Sequence, residues 1–206
     1  MKIGVLDIQG SVEEHFEALK KLGVKRRDLK IEPVLVKKIS DLDGVRGLII
    51  PGGESTTIGK LLKKTGLWEE IKKRAKGAAG SKRRCLAHLR AGSKDTFASL
   101  GVWGTCAGAI LLSKGYFGLM DITVERNAYG RQMESFETEI EFDGINVPAI
   151  FIRAPRIVKV GCGVKVLAKC GGEIVAASQG RFLATTFHPE LTESLKILCQ
   201  FVELSL

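Results

Sequence analysis

The stretch GVWGTCAGAILL, residues 101–112, joins a short apolar run, Gly101 to Gly104, to an apolar helical run, Ala107 to Leu112, with almost nothing between them. Strand, sharp turn and helix in that order form the unit from which parallel sheets are wound. The turn itself, Gly104-Thr105-Cys106-Ala107-Gly108, places a cysteine among small residues. This reads as a nucleophile elbow: the bend is tight, and the helix N-terminus behind it lowers a thiol pKa and offers N–H groups to an oxyanion. A buried structural cysteine in a Gly-rich turn fits the pentapeptide equally well.

Outward from this unit, similar apolar runs recur at Ile3 to Ile8, Pro33 to Val36 and Gly47 to Ile50, with helical stretches between them. Continuous apolarity, as in Leu48-Ile49-Ile50, is expected of parallel strands buried on both faces. The helix at Val12 to Leu22 places Val12, Phe16, Leu19 and Leu22 on one face and turns Glu13, Glu14, Lys20 and Lys21 to water. After Leu119 the pattern changes to strands without long helices: Asp121 to Glu125, Phe136 to Phe142, Pro148 to Ile152, Val164 to Ala168, Ile174 to Ala177 and Phe182 to Thr186. Some of these are expected to pair antiparallel. An amphipathic helix, Glu193 to Leu204, closes the chain. The fold class is therefore α/β, with a mainly parallel sheet.

The length of 206 residues suits one domain with a substantial core, here residues 1–206 without repeat or linker. No apolar stretch approaches the roughly 18 residues of a membrane span and no basic leader precedes Met1 to Ile8, so a cytoplasmic protein away from membranes is expected. Five cysteines, at Cys85, Cys106, Cys162, Cys170 and Cys199, show no paired spacing and suggest free thiols. The net charge of +9 is largely local: Lys76 to Asp95 holds six Lys or Arg against one acid. Aromatic residues do not interleave with those charges, so a basic surface loop is favoured over a nucleic-acid site.

Two further segments carry chemistry. In Phe187-His188-Pro189-Glu190 a histidine is followed two residues later by a carboxylate, just after a strand. One tight turn thereby supplies both a base for a thiol and a partner that holds the base's tautomer. The competing reading is a surface histidine in a Pro turn. Pro51-Gly52-Gly53-Glu54-Ser55 follows another strand at its carboxyl end, where open α/β sheets gather ligands. It lacks the lysine of a phosphate-binding P-loop, and its glycines permit a backbone N–H to be aimed into a site.

PGGESTT, GTCAG, VERNAYGRQ followed by SFE, FIRAP and TTFHPELT occur in this order, and with the opening GVLDIQG they resemble the glutaminase subunits of pyridoxal 5′-phosphate synthase. GTCAG and HPE are shared in form with class I glutamine amidotransferases generally; RNAYGRQ, FIRAP and GVLDIQG are similar to this subfamily in particular. The resemblance implies a flavodoxin-like three-layer sandwich and hydrolysis of L-glutamine to glutamate and ammonia through a thioester on Cys106. His188 would be the base and Glu190 its orienting carboxylate. The N–H groups of Gly53 and Ala107 would form the oxyanion hole, a device worth about 3–4 kcal/mol per donor. Glutamine would be held by Gly53, Glu54, Ser55, Arg126, Ile152 and Arg153. An arginine suits its α-carboxylate and a carboxylate suits its α-ammonium.

The resemblance also implies a partner, a synthase subunit that takes the ammonia into pyridoxal 5′-phosphate. No cofactor and no metal are expected in this chain. The Gln9-Gly10 loop and the helix after it are expected contact elements for the partner. A glutaminase of another biosynthetic amidotransferase, or a non-catalytic regulatory subunit of the same fold, remains an alternative.

The basic segment at about 76–99 departs from the pattern and reads as an inserted loop. Cys85 and His88 within it make half of a zinc spacing without a second half. His15 is taken as a helix-surface histidine without a catalytic role, and Cys162, Cys170 and Cys199 as structural. Gly115 to Gly118 is expected to leave one side of the pocket open.

Overall fold

The protein is described from a computed structural model covering residues 1–77, 99–126 and 135–206. The strands are β1 (Lys2–Leu6), β2 (Glu32–Val36), β3 (Val45–Ile50), β4 (Gly101–Thr105), β5 (Ile122–Glu125), β6 (Phe136–Phe142), β7 (Ile145–Phe151), β8 (Arg156–Val160), β9 (Lys165–Cys170), β10 (Glu173–Gln179) and β11 (Phe182–Thr185). The helices are α1 (Val12–Lys25), α2 (Ser55–Lys64), α3 (Leu67–Lys76), α4 (Ala107–Leu112) and α5 (Lys196–Leu204).

The sheet runs β2-β1-β3-β4-β11-β10-β9-β6-β7, with β5 and β8 paired beside β10. From β2 to β11 every pairing is parallel, and from β10 onward the pairings are antiparallel. Strand alternation divides the core. Leu6, Leu48, Ile50, Val102 and Ala184 pack with Ile58 and Leu62 of α2, Ile71 of α3 and Leu111 of α4. Ile3, Val5, Ile49, Trp103 and Leu183 pack on the other face with Leu19 and Leu22 of α1 and Ile197 and Phe201 of α5. Helices on both faces of a parallel sheet make the flavodoxin-like three-layer sandwich that the motifs imply, and burial of both strand faces explains the unbroken apolar runs.

Some expectations need correction. Strand β8 was not anticipated. Its sequence RIVKV buries only Ile157, and it meets β10 at that single residue, so the periodic signal is weak. Strand β7 begins at Ile145, three residues ahead of Pro148, because Asp143 (φ +49°) and Gly144 (φ +85°) make a two-residue turn into a hairpin with β6. Pro148 is tolerated there since β7 is the last strand of the sheet. Helix α5 starts at Lys196, not Glu193.

His15 is not on the surface: it is 1% exposed, on the stripe His15, Leu19, Leu22. Gly115 to Gly118 is not among the residues that line the pocket, and within it Phe117 is buried against Trp68, with ring centroids 4.1 Å apart. The basic residues Lys82, Arg83 and Arg84, the pair Cys85 and His88, and the run from Asn127 to Glu134 lie outside the described residues.

Candidate active site

Strands β3, β4 and β11 are parallel neighbours, and each delivers a loop to the same edge. After β4 comes Cys106, at φ +47° and ψ −104°, conformations that a side chain adopts only under strain. Its N–H donates to the carbonyl of Thr185 at 2.8 Å, so the elbow is anchored to the neighbouring strand. The flanking glycines are steric necessities. A Cβ on Gly104 would overlap the backbone of Gly108, and a Cβ on Gly108 would overlap the carbonyl of Ile50.

After β11, Phe187 is buried and His188 N–H donates to the carbonyl of Ile150 at 2.8 Å, tying this turn to β7. The ring atom Nδ1 of His188 lies 2.7 Å from Glu190 Oε1. Cys106 and His188 face one another across Gly52. A Cβ on Gly52 would overlap the His188 ring and come within 3.3 Å of the Cys106 Cβ. The thiol also stands 3.9 Å from the Ile152 carbonyl. Cys106 and His188 are each 8% exposed, enough to reach a ligand and too little for bulk water to screen them.

The electrostatics follow from burial and partners. Burial works against a charged His188, but hydrogen bonding to Cys106 and Glu190 outweighs it and raises the pKa to about 10. Burial also works against the Glu190 carboxylate, and the neighbouring imidazoles of His15 and His188 with the Ser11 hydroxyl outweigh it and bring the pKa down to about 2. The pair therefore sits as imidazolium and carboxylate at neutral pH.

The Gly52-Gly53 loop is held from below by the loop after β1. Ser11 N–H approaches the Gly52 carbonyl at 3.4 Å, and Gln9 Oε1 accepts from Glu54 N–H at 3.2 Å. Gly53, at φ +154°, faces Gln9 and has no room for a conventional side chain without straining both. Among the described residues, neither Gly53 N–H nor Ala107 N–H has a hydrogen-bond partner. Both remain available to a ligand.

A cavity of about 570 Å³ opens over Cys106. Gly53, Glu54, Ser55, Ala107, Arg126, Ile152, Arg153 and His188 all line it. Glu54 is already engaged: its carboxylate caps α2, accepting from Thr56 N–H at 3.0 Å and Thr57 N–H at 2.6 Å, and it pairs with Arg126 at 3.0 Å. Its pKa falls to about 2, first because of the Thr57 side chain and then the two backbone donors. Arg153 holds a left-handed backbone, φ +44°, at the turn after β7, beside the cavity. Ser55 Oγ is buried without a hydrogen-bond partner among the described residues.

Sequence reasoning missed Ser11 and the position of His15. The signal for Ser11 and His15 was their i, i+4 spacing on the face that α1 turns to the sheet. Among the described residues, no group of three His, Cys, Asp or Glu side chains is gathered as metal ligands are.

Fold and pocket together define the class: an α/β protein whose strained cysteine elbow meets a histidine–carboxylate turn at the carboxyl edge of a parallel sheet. A family model described as the SNO glutamine amidotransferase family matches residues 5–205. The chain is 47% identical to the pyridoxal 5′-phosphate synthase subunit PdxT of Methanocaldococcus jannaschii, covering 98% of this chain and 97% of the relative. It is 42% identical to the protein of the same name from Thermus thermophilus, covering 98% and 97% of the two chains. A solved structure described as a glutamine amidotransferase superposes with a TM-score of 0.81 at 42% identity, covering 98% of both chains. The PurLQS structure from Thermotoga maritima superposes with a TM-score of 0.65 at 18% identity, over 99% of this chain and 96% of that one, a likeness of fold. The chain belongs to the SNO glutamine amidotransferase family.

Proposed function

We propose that the chain hydrolyses L-glutamine to glutamate and ammonia, and that the ammonia passes to a synthase subunit making pyridoxal 5′-phosphate. The observation that carries this reading is the His188–Glu190 pair, 2.7 Å apart, set opposite the Cys106 elbow inside a cavity lined by every substrate residue expected from the motifs.

In this mechanism the Cys106 thiolate attacks the carboxamide carbon of glutamine. The developing oxyanion is received by the N–H groups of Gly53 and Ala107. His188 donates its proton to the departing ammonia, leaving a thioester, and then takes a proton from the water that hydrolyses it. Glu190 keeps the imidazole oriented and stabilises its charged form. Arg126, held by Glu54, receives the substrate α-carboxylate. Ser55, Ile152 and Arg153 complete the pocket, and Glu54 presents its remaining acceptor capacity to the α-ammonium.

The names of the relatives support the partner, and the Gln9-Gly10 loop with α1 is the surface through which docking would reach the oxyanion loop. The reading treats residues 1–206 as a single glutaminase domain, with the basic stretch at about 76–99 an insertion that binds no nucleic acid. Among the described residues no helix is long and apolar enough to cross a membrane, and the reading places the protein in the cytoplasm.

Glutamate release from L-glutamine is the decisive assay, run on wild type and Cys106→Ala, alone and with a pyridoxal 5′-phosphate synthase subunit. Turnover that depends on Cys106 and rises on mixing is expected. Equal inactivity of both proteins in a verified complex would remove the catalytic reading.

A further inference from the structure

Helix α1 brings two side chains to the carboxylate of Glu190. Ser11 Oγ donates to Oε1 at 2.6 Å, the same oxygen that meets His188 Nδ1. The other oxygen, Oε2, is buried without a hydrogen bond among the described residues, and His15 Nε2 stands 3.5 Å from it. That same nitrogen lies 3.2 Å from Thr105 Oγ1. The imidazole is wedged edge-on against Trp103, with ring centroids 5.5 Å apart. Thr105 immediately precedes Cys106, so one nitrogen atom spans the ends of the two loops that carry the nucleophile and the base.

We propose that His15 is a positioning residue of the glutaminase site: its Nε2–H, shared between Thr105 Oγ1 and Glu190 Oε2, holds the carboxylate in the orientation that receives His188. This rests on the triad reading given above. Distance favours it over simple packing, because the ring presents a polar atom to a buried carboxylate oxygen that has no other donor within reach among the described residues. The role requires a neutral ring. Charged, His15 would be a second cation competing with His188 for one carboxylate. Burial is the largest influence and lowers the pKa of His15; Glu190 opposes it, His188 reinforces it, and Glu14 on the same helix opposes it weakly. Thr105 and Trp103, which face the ring from β4, carry no charge.

The test uses the full chain in complex with a synthase subunit. Variants His15→Leu, His15→Gln and His15→Asn are compared for kcat and KM on glutamine, and for the pH dependence of Cys106 alkylation by iodoacetamide, with Cys106→Ala as the background. Glutamine places its amide nitrogen near the position of Nε2, whereas asparagine falls short of it and leucine has no donor.

The expected result is a fall in kcat of about tenfold for Leu and Asn with KM within about twofold, and recovery to within about threefold for Gln. The alkylation profile of the Leu and Asn variants should move to higher pH by about half a unit or more, because a loosened Glu190 stabilises the imidazolium less and the imidazolium stabilises the thiolate less. If the leucine variant does not fold, the Gln and Asn pair carries the comparison. A drop in melting temperature with unchanged kcat and alkylation profile would make His15 a packing residue and overturn the proposal, as would equal losses in Gln and Asn. Wild-type complex without Cys106-dependent turnover would overturn the triad reading and the proposal with it.

Discussion

Gly10 lies flat against the carbonyl of Gly52, so close that a Cβ on Gly10 would overlap the Gly52 oxygen. The loop after β1 thus presses directly on the loop proposed to supply an oxyanion donor, with no side chain between them. Gly10 also holds φ +106°, which side chains rarely adopt. Gly10→Ala is therefore expected to cost about 2 kcal/mol of stability and to displace Gly53. Thermal unfolding should show a melting temperature several degrees lower, and glutaminase turnover should fall by more than the folded fraction accounts for.

Cys106 has φ +47° and carries its side chain at a conformational cost. Cys106→Gly relieves that strain while deleting the nucleophile. The variant is expected to be inactive and no less stable than wild type, with a gain of up to about 1 kcal/mol. Denaturant unfolding of Cys106→Gly beside Cys106→Ala checks this; a glycine variant less stable than the alanine variant would contradict it.

The titration of His188 and Glu190 predicts how stability follows pH. His188 is raised from 6.5 to about 10, so its contribution is complete below pH 6.5 and is lost as pH rises toward 10. Glu190 is lowered from 4.5 to about 2, so its contribution is present above pH 4.5 and is lost as pH falls toward 2. Unfolding free energies across these two windows should decline in wild type, with a shallower alkaline slope in His188→Gln and a shallower acid slope in Glu190→Gln.

Arg126 and Glu54 bind each other at 3.0 Å, and both reach solvent. Arg126→Ala removes the cation proposed for the substrate carboxylate and is expected to raise KM for glutamine by about 10- to 100-fold with a smaller change in kcat. Glu54→Ala loses the cap of α2 as well, so it should lose about 1 kcal/mol of stability in addition to raising KM. Steady-state kinetics and thermal melts on the two variants separate these effects.

The parallel half of the fold was legible because its strands are buried on both faces and carry uninterrupted apolar runs, as Leu48-Ile49-Ile50 does. Strand β8 was illegible because it buries little more than Ile157, so neither alternation nor a long apolar run marks it. Within the site, Cys106, His188 and the residues of PGGES were visible because their chemistry is written in short local motifs. His15 and Ser11 were not: their partner Glu190 lies 175 and 179 residues away along the chain, and a polar residue on the inner face of a helix announces burial without naming what it meets. Glu54 was assigned to substrate from the family resemblance, while its engagement as a helix cap depends on a backbone geometry that sequence does not display.

Thr105 and Thr185 are adjacent rungs in the centre of the sheet, and Cys106 and His188 follow within three residues of them. Cys106 follows β4 directly and His188 sits three residues beyond β11, so the pairing of two neighbouring parallel strands, about 4.8 Å apart, brings the two short loops side by side. Paired central strands open late in a fold, so a partner docking on α1, as proposed above, would meet less resistance in the glycine loop than in the pairing of the thiol with the imidazole.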